Sequence, residues 1–202
     1  MKYLYADGDS YTYGYQDKVY GIPLENRWSS LLSDRLNLKE VNNSINGSSN
    51  SEIIKRTMKW LSENQSIWKE TLVVIGWTVS IREEKKCSER DGITITSDYF
   101  QSSEKTKQMM IDLQYFLKSN DIKYNFHIAF GEEPSDYRSD KDIDENNFCD
   151  TSFMNFILSH NPNFFDNFWK HIDGRKMNGF YRHPTEIEHK MWSKYLERNI
   201  KL

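Results

Sequence analysis

The sequence predicts an α/β fold of three layers, α/β/α, with helices on both faces of a mainly parallel sheet of about five strands. Two observations carry this. Short apolar, strand-like runs alternate with longer runs of helical periodicity in the order βαβαβ, then helix, strand and helix. The most apolar run, TLVVIGW at 71–77, is short and unalternating, as suits a central strand covered on both faces.

KYLYA (2–6) reads as the first strand. NRWSSLLSDRLNL (26–38) sets Trp28, Leu31, Leu32, Arg35 and Leu36 at helical spacing, and KEVNNS (39–44) carries a short strand into a polar turn. SNSEIIKRTMKWLSEN (49–64) opens on capping residues and places Ile53, Ile54, Thr57, Met58 and Leu61 on one helical face. Residues 80–100 are polar and read as a loop. SEKTKQMMIDLQYFLKSND (103–121) is a helix and KYNFHIAF (123–130) a strand. GEEPSDYRSDKDIDENN (131–147) is acidic and turn-rich, lacks the spacing of a calcium loop, and reads as a solvated surface. TSFMNFILSH (151–160) is a short helix, and HPTEIEHKMWSKYLERNI (183–200) a helix with Pro184 in its first turn. Neither a repeat nor a linker interrupts the pattern, so residues 1–202 are expected to form one domain.

Composition narrows the partners. Only 37% of residues are hydrophobic, but six Trp, twelve Tyr and eleven Phe supply large buried area, which argues against disorder. The net charge of -3, with basic residues dispersed, argues against nucleic acid or an anionic membrane as partner. No apolar run approaches the ~18 residues of a membrane span, and no basic-then-apolar leader precedes the strand at Lys2. Cys87 and Cys149 fit no metal-ligand spacing and suggest a reducing compartment, so a cytoplasmic protein is expected. The abundance of Asn, Lys, Ile and Ser is phage-like, or that of a low-GC bacterium.

In parallel α/β sheets, sites form at the carboxyl ends of strands. GDS (8–10), NGSSN (46–50), GWT (76–78) and AFGEE (129–133) all fall there. Taken alone, Ser10 reads as a helix cap with Asp9 as a turn residue. Four blocks taken together read differently. GDSYTYG (8–14), NNSINGSSN (42–50), VVIGWT (73–78) and His183-Pro184, in this order over almost the whole chain, resemble the SGNH hydrolases, also called GDSL esterases and lipases. The resemblance implies a flavodoxin-like sheet, Ser10 as nucleophile and His183 as its base. It also implies an oxyanion hole built from the backbone N–H groups of Ser10 and Gly47 with help from Thr78. The chemistry is consistent: a serine needs an adjacent base, a neutral imidazole takes a proton near pH 7, and glycine permits close approach to an oxyanion.

Two departures stand out. The family's Gly-x-Asn-Asp is here Gly76-Trp77-Thr78-Val79, so Thr78 replaces an amide donor whose loss typically costs ~10²–10³ in turnover. The family's Asp-x-x-His is here Phe180-Tyr181-Arg182-His183, so the residue that orients the imidazole is missing. Asp9, Asp173, Trp77 and Arg82 are the candidates for orienting His183 or touching substrate. Trp77 reads equally as core, and Arg82-Glu83-Glu84 equally as a solvated loop. His127 reads as a satisfied core histidine and His189 as structural or exposed; His160 and His171 have no motif around them. Asp7 and Asp9 alone make no metal site. No metal or cofactor is implied.

Two functional classes follow. The first is a serine hydrolase for an O-acetylated carbohydrate or a small acyl ester. The second is a non-catalytic binding protein on the same fold, for a glycan, nucleotide or protein, that has lost the oxyanion Asn and the Asp. The distance between Ser10 and the His183 ring discriminates between them.

Overall fold

The computed structural model describes residues 1–14, 22–82, 99–162, 164 and 183–201. Four strands, β1 (Tyr3–Asp7), β2 (Lys39–Asn42), β3 (Thr71–Trp77) and β4 (Lys123–Ile128), form one sheet in the order β2-β1-β3-β4. Every neighbouring pair is parallel, and the order matches the first four positions of a flavodoxin-like sheet. The expectation was about five strands. Among the described residues the fifth position is reduced to one parallel bridge, Phe126 to Phe148, on the outer edge of β4. The reason is local: 131–147 is rich in Asp, Asn, Glu and Ser, which are poor strand formers.

Among the described residues the α-helices are α1 (Ser10–Tyr13), α2 (Trp28–Leu36), α3 (Asn50–Glu63), α4 (Tyr99–Ser119), α5 (Ser135–Arg138), α6 (Phe153–His160) and α7 (Glu186–Asn199). Strand parity sorts them into two layers. Tyr5, Val73, Ile75 and Trp77 pack with Ile53 and Leu61 of α3 and with Met110, Leu113 and Leu117 of α4. Leu4, Ala6, Leu72 and Val74 face the other way, toward Trp28 and Leu32 of α2, Phe153 of α6, and Trp192 and Leu196 of α7. Side chains as large as Trp28, Trp77 and Trp192 have no exposed surface; burying an aliphatic or aromatic side chain of this kind contributes on the order of 1.5–3 kcal/mol. Together the two sets cover both faces of β1 and β3, which is why β3 carries no polar alternation.

Helix ends follow the local sequence. Ser49 caps α3, and the Glu52 carboxylate accepts the Ser49 N–H in return at 2.7 Å. α2 stops at Asn37, which turns into the left-handed region at φ 53. α7 starts at Glu186, three residues later than its apolar pattern implies. Thr185 is extended (φ -80, ψ 172) and gives its N–H to Glu188 at 2.6 Å. Pro184 therefore precedes the cap, and His183 stands off the helix. The acidic stretch is docked in part: Asp140 and Asp144 pair with Lys107 and Lys118 of α4 at 3.3 and 2.7 Å.

His127 on β4 needs a correction. It is a fully buried core residue, set against the edges of Trp28 and Trp192 with centroids 5.2 and 5.4 Å away. It is not satisfied, because neither ring nitrogen has a hydrogen-bond partner among the described residues. Aromatic rings and the Gly76 backbone surround it where polar groups were expected. Burial lowers the pKa of His127 to about 3, and that of His189 likewise.

Both histidines thus have folded pKa values below the unfolded value of about 6.5. The unfolded chain then binds more protons between pH 6.5 and 3, so their contribution to stability is complete above 6.5 and is lost as pH falls. We expect unfolding free energy to decline across this window with a slope approaching about 2.7 kcal/mol per pH unit for two protons. His127→Leu removes one unpartnered polar group and should lower that slope by about one proton. Denaturant midpoints from pH 7 to 4 for both proteins check this; parallel curves would exclude it.

Candidate active site

β1 ends in Asp7, and the next three residues deliver Ser10. Gly8 has no room for a side chain: a Cβ there would lie 2.3 Å from Thr12 Oγ1 and 2.9 Å from the Gly76 carbonyl. This close approach packs the first turn of α1 against the end of β3. Asp9, not Ser10, caps α1, its Oδ1 accepting the Tyr11 N–H at 2.9 Å. The Ser10 hydroxyl is thereby free of capping duty, and it meets His183 Nε2 at 2.8 Å across 173 positions of sequence. Ser10 is 7% exposed, and the His183 ring leans against Tyr11 with centroids 5.8 Å apart.

The end of β2 supplies the opposing wall. Ile45 to Ser48 form a turn closed by the Ser48 N–H on the Ile45 carbonyl at 3.2 Å. Gly47 occupies its third position at φ 75, the left-handed value a type II turn demands there. The Ile45 N–H reaches back to the Gly8 carbonyl at 3.3 Å, tying this turn to the Ser10 segment. Neither the Ser10 N–H nor the Gly47 N–H finds an acceptor among the described residues.

Electrostatics organise the rest. Asp9 has no exposed surface; its Oδ2 accepts from Thr78 Oγ1 at 2.7 Å and from Arg82 Nη1 at 3.0 Å. The Thr78 hydroxyl is therefore directed at a carboxylate. Asn50 clamps the Thr78 backbone, accepting its N–H at 2.9 Å and donating to its carbonyl at 2.9 Å. Arg82, read equally as a substrate contact and as a solvated loop residue, has a side chain only 8% exposed and also donates to the Ser48 carbonyl at 3.2 Å. Glu132 accepts the Ser80 N–H at 2.7 Å and the Tyr137 hydroxyl, steadying the same loop. Asp7 is answered separately by Arg56, at 2.6 Å, and by the Gly8 N–H at 2.7 Å. Burial pushes the Asp7 carboxyl above its usual range, with Arg56 opposing. Asp7 and Asp9 thus face different arginines. Among the described residues no three His, Cys, Asp or Glu side chains converge on a metal position.

Of the other candidates, Trp77 does not face the site. It is fully buried against Phe126 on the α3–α4 side of the sheet, where its parity with Val73 and Ile75 puts it. Asp9 spends its oxygens on Tyr11, Thr78 and Arg82, and no bond to His183 is among them. Asp173, His171, Phe180, Glu83, Glu84 and Cys87 lie outside the described residues. His189 is structural: its Nδ1 accepts the Trp28 N–H at 3.1 Å, capping α2 from α7. No helix among the described residues is long and apolar enough to cross a membrane.

No family model and no curated protein matches this sequence. Solved structures do. The chain is similar to a member of the lipolytic protein G-D-S-L family from Veillonella parvula, with TM-score 0.50 and 15% identity over 98% of this chain and 97% of that one. It is similar to an acetyl xylan esterase, with TM-score 0.53 and 15% identity over 98% of this chain and 100% of that one. A carbohydrate acetylesterase family member from Sinorhizobium meliloti gives TM-score 0.53 and 15% identity over 98% and 96% of the two chains. The chain has the SGNH hydrolase fold.

Within this SGNH fold the four sequence blocks gather at the carboxyl ends of β1, β2 and β3 and at the entry to α7. Asn50, Arg56 and Glu132 went unread in the sequence. Arg56 left one signal: a buried strand-end carboxylate such as Asp7 requires a countercharge. Asn50 and Glu132 left only their place in the strand-end blocks NGSSN and AFGEE, which does not name their partners 28 and 52 positions away.

Thr78→Val keeps the shape and deletes the donor to Asp9. Hydrogen bonds to charged groups contribute ~1.5–3 kcal/mol, so a loss of about that size is expected in guanidinium unfolding at pH 7. An unchanged midpoint would show that the hydroxyl does not serve Asp9.

Proposed function

We propose that this protein is a serine ester hydrolase of the SGNH type, acting on O-acetylated carbohydrate or a similarly small acyl ester. One observation carries the reading: Ser10 Oγ within 2.8 Å of His183 Nε2, a nucleophile with a base in hydrogen-bond reach. The N–H groups of Ser10 and Gly47, without an acceptor among the described residues, support it as donors available to an oxyanion. The likeness to acetylesterases supports the choice of acyl group.

In this mechanism Ser10 Oγ attacks the acyl carbon while its proton passes to His183 Nε2. The carbonyl oxygen takes up the negative charge and is held by the Ser10 and Gly47 N–H groups. Collapse breaks the bond to the alcohol oxygen, which leaves with the proton from His183, and the acyl group stays on Ser10. Water then gives a proton to His183 and attacks the acyl carbon. The carboxylic acid departs, and Ser10 recovers its proton. Thr78 takes no direct part, since its hydroxyl is committed to Asp9. The substrate is reached at the carboxyl edge of the sheet, where Ser10 and His183 meet.

Ser10→Ala should lower kcat/KM for 4-nitrophenyl acetate by ~10⁴-fold or more, with little change in unfolding midpoint because Asp9 holds the cap. His183→Ala should cost ~10²–10⁴-fold. A fluorophosphonate should label wild-type Ser10 once per chain, read by mass spectrometry. A folded wild-type protein that neither labels nor hydrolyses acetyl esters would instead favour the binding protein.

A further inference from the structure

The geometry points to Arg82 as a positioning residue that holds both halves of the oxyanion hole with one guanidinium. This rests on the hydrolase reading above. Arg82 Nη1 donates to Asp9 Oδ2 at 3.0 Å and to the Ser48 carbonyl at 3.2 Å. Asp9 immediately precedes Ser10 and caps its helical turn. Ser48 immediately follows Gly47 and closes its turn. The two N–H groups that would hold an oxyanion therefore sit one residue away from two acceptors of the same nitrogen. The guanidinium is itself fixed, 8% exposed and 5.2 Å over the Phe130 ring.

Charge makes the arrangement matter to the reaction. A buried carboxylate beside the nucleophile opposes the growth of a second negative charge on the substrate oxygen. Arg82 answers that carboxylate with an ionised partner, where Thr78 offers only a neutral donor. Loss of Arg82 should leave the Asp9 charge less compensated and the Gly47 turn untied on its Ser48 side. Both effects fall on the transition state and neither on ground-state binding, so kcat is expected to change and KM to stay.

The test compares wild type, Arg82→Gln and Arg82→Lys by two readouts: the second-order rate of Ser10 phosphonylation by a small uncharged fluorophosphonate, and kcat and KM for 4-nitrophenyl acetate. Phosphonylation forms the Ser10 Oγ–P bond, sends the hydroxyl proton to His183 and expels fluoride. The probe lacks the alcohol half of an ester substrate, so a contact from Arg82 to that half cannot account for a change in its rate. Arg82→Gln should lower both the phosphonylation rate and kcat by ~10²-fold with KM within about threefold. Arg82→Lys keeps the charge but not the two-acceptor geometry, and should recover about tenfold of that loss. If Arg82→Gln does not fold, Arg82→Lys carries the test: a fall of about tenfold in kcat at constant KM supports the role, and wild-type values overturn it. A raised KM with unchanged kcat and phosphonylation overturns it in favour of substrate contact. Equal losses in Gln and Lys that follow the folded fraction reduce Arg82 to structural support and also overturn it. A wild-type protein that does not label overturns the hydrolase reading, and the positioning role with it, before any variant is compared.

Discussion

The Asp9 carboxylate has no exposed surface, and a buried charge must be met by donors or expelled. Here three segments meet it. The Tyr11 N–H comes from α1, the Thr78 hydroxyl from the end of β3, and the Arg82 guanidinium from the loop beyond. Two of the donors are in turn held elsewhere, Thr78 by Asn50 at the start of α3 and Arg82 by the Ser48 carbonyl, and Glu132 past β4 holds the loop between them through Ser80. The strand ends are thus joined through one anion. The turn after β2 and the loop after β3 are also tied to each other directly, by Arg82 on the Ser48 carbonyl and by Asn50 on the Thr78 backbone.

The second constraint is steric. Gly8 and Gly76 let α1 sit against β3 with Thr12 between them; a Cβ on Gly76 would come 2.6 Å from Thr12 Oγ1 and 3.0 Å from His127 Nε2. The cost is a set of buried polar atoms without partners among the described residues, Thr12 Oγ1 and both nitrogens of His127 included. Close packing at the site has been favoured over full hydrogen bonding in the layer beneath it.

How much of this was legible in the sequence depends on the range of the interaction. β1 and β3 were readable because a doubly covered strand must be apolar, and α3 because Ser49 and Glu52 box its start. The parity of Val73, Ile75 and Trp77 also carried the burial of Trp77, although the residue was held open as a substrate contact. Ser10, Gly47 and His183 were singled out through four short blocks whose order matters more than any one of them. The direction of the Thr78 hydroxyl was not legible, since it is chosen by Asp9, 69 positions away. Arg82 could not be told from a solvated loop charge for the same reason: burial of a polar side chain by distant partners leaves no periodic trace.

The 173 positions between Ser10 and His183 also set an order of events during synthesis. Domains are made from the amino end, and strands β1 to β3, with the Asp9 network at their tips, emerge well before α7 exists. His183 arrives on the short extended lead into that helix, and the lead is placed by contacts the helix makes elsewhere: Trp192 and Leu196 in the core beneath α2, and His189 on the Trp28 N–H. Ser10 is thus made early, long before the imidazole it meets, and the contact between them is completed only by the docking of one late helix.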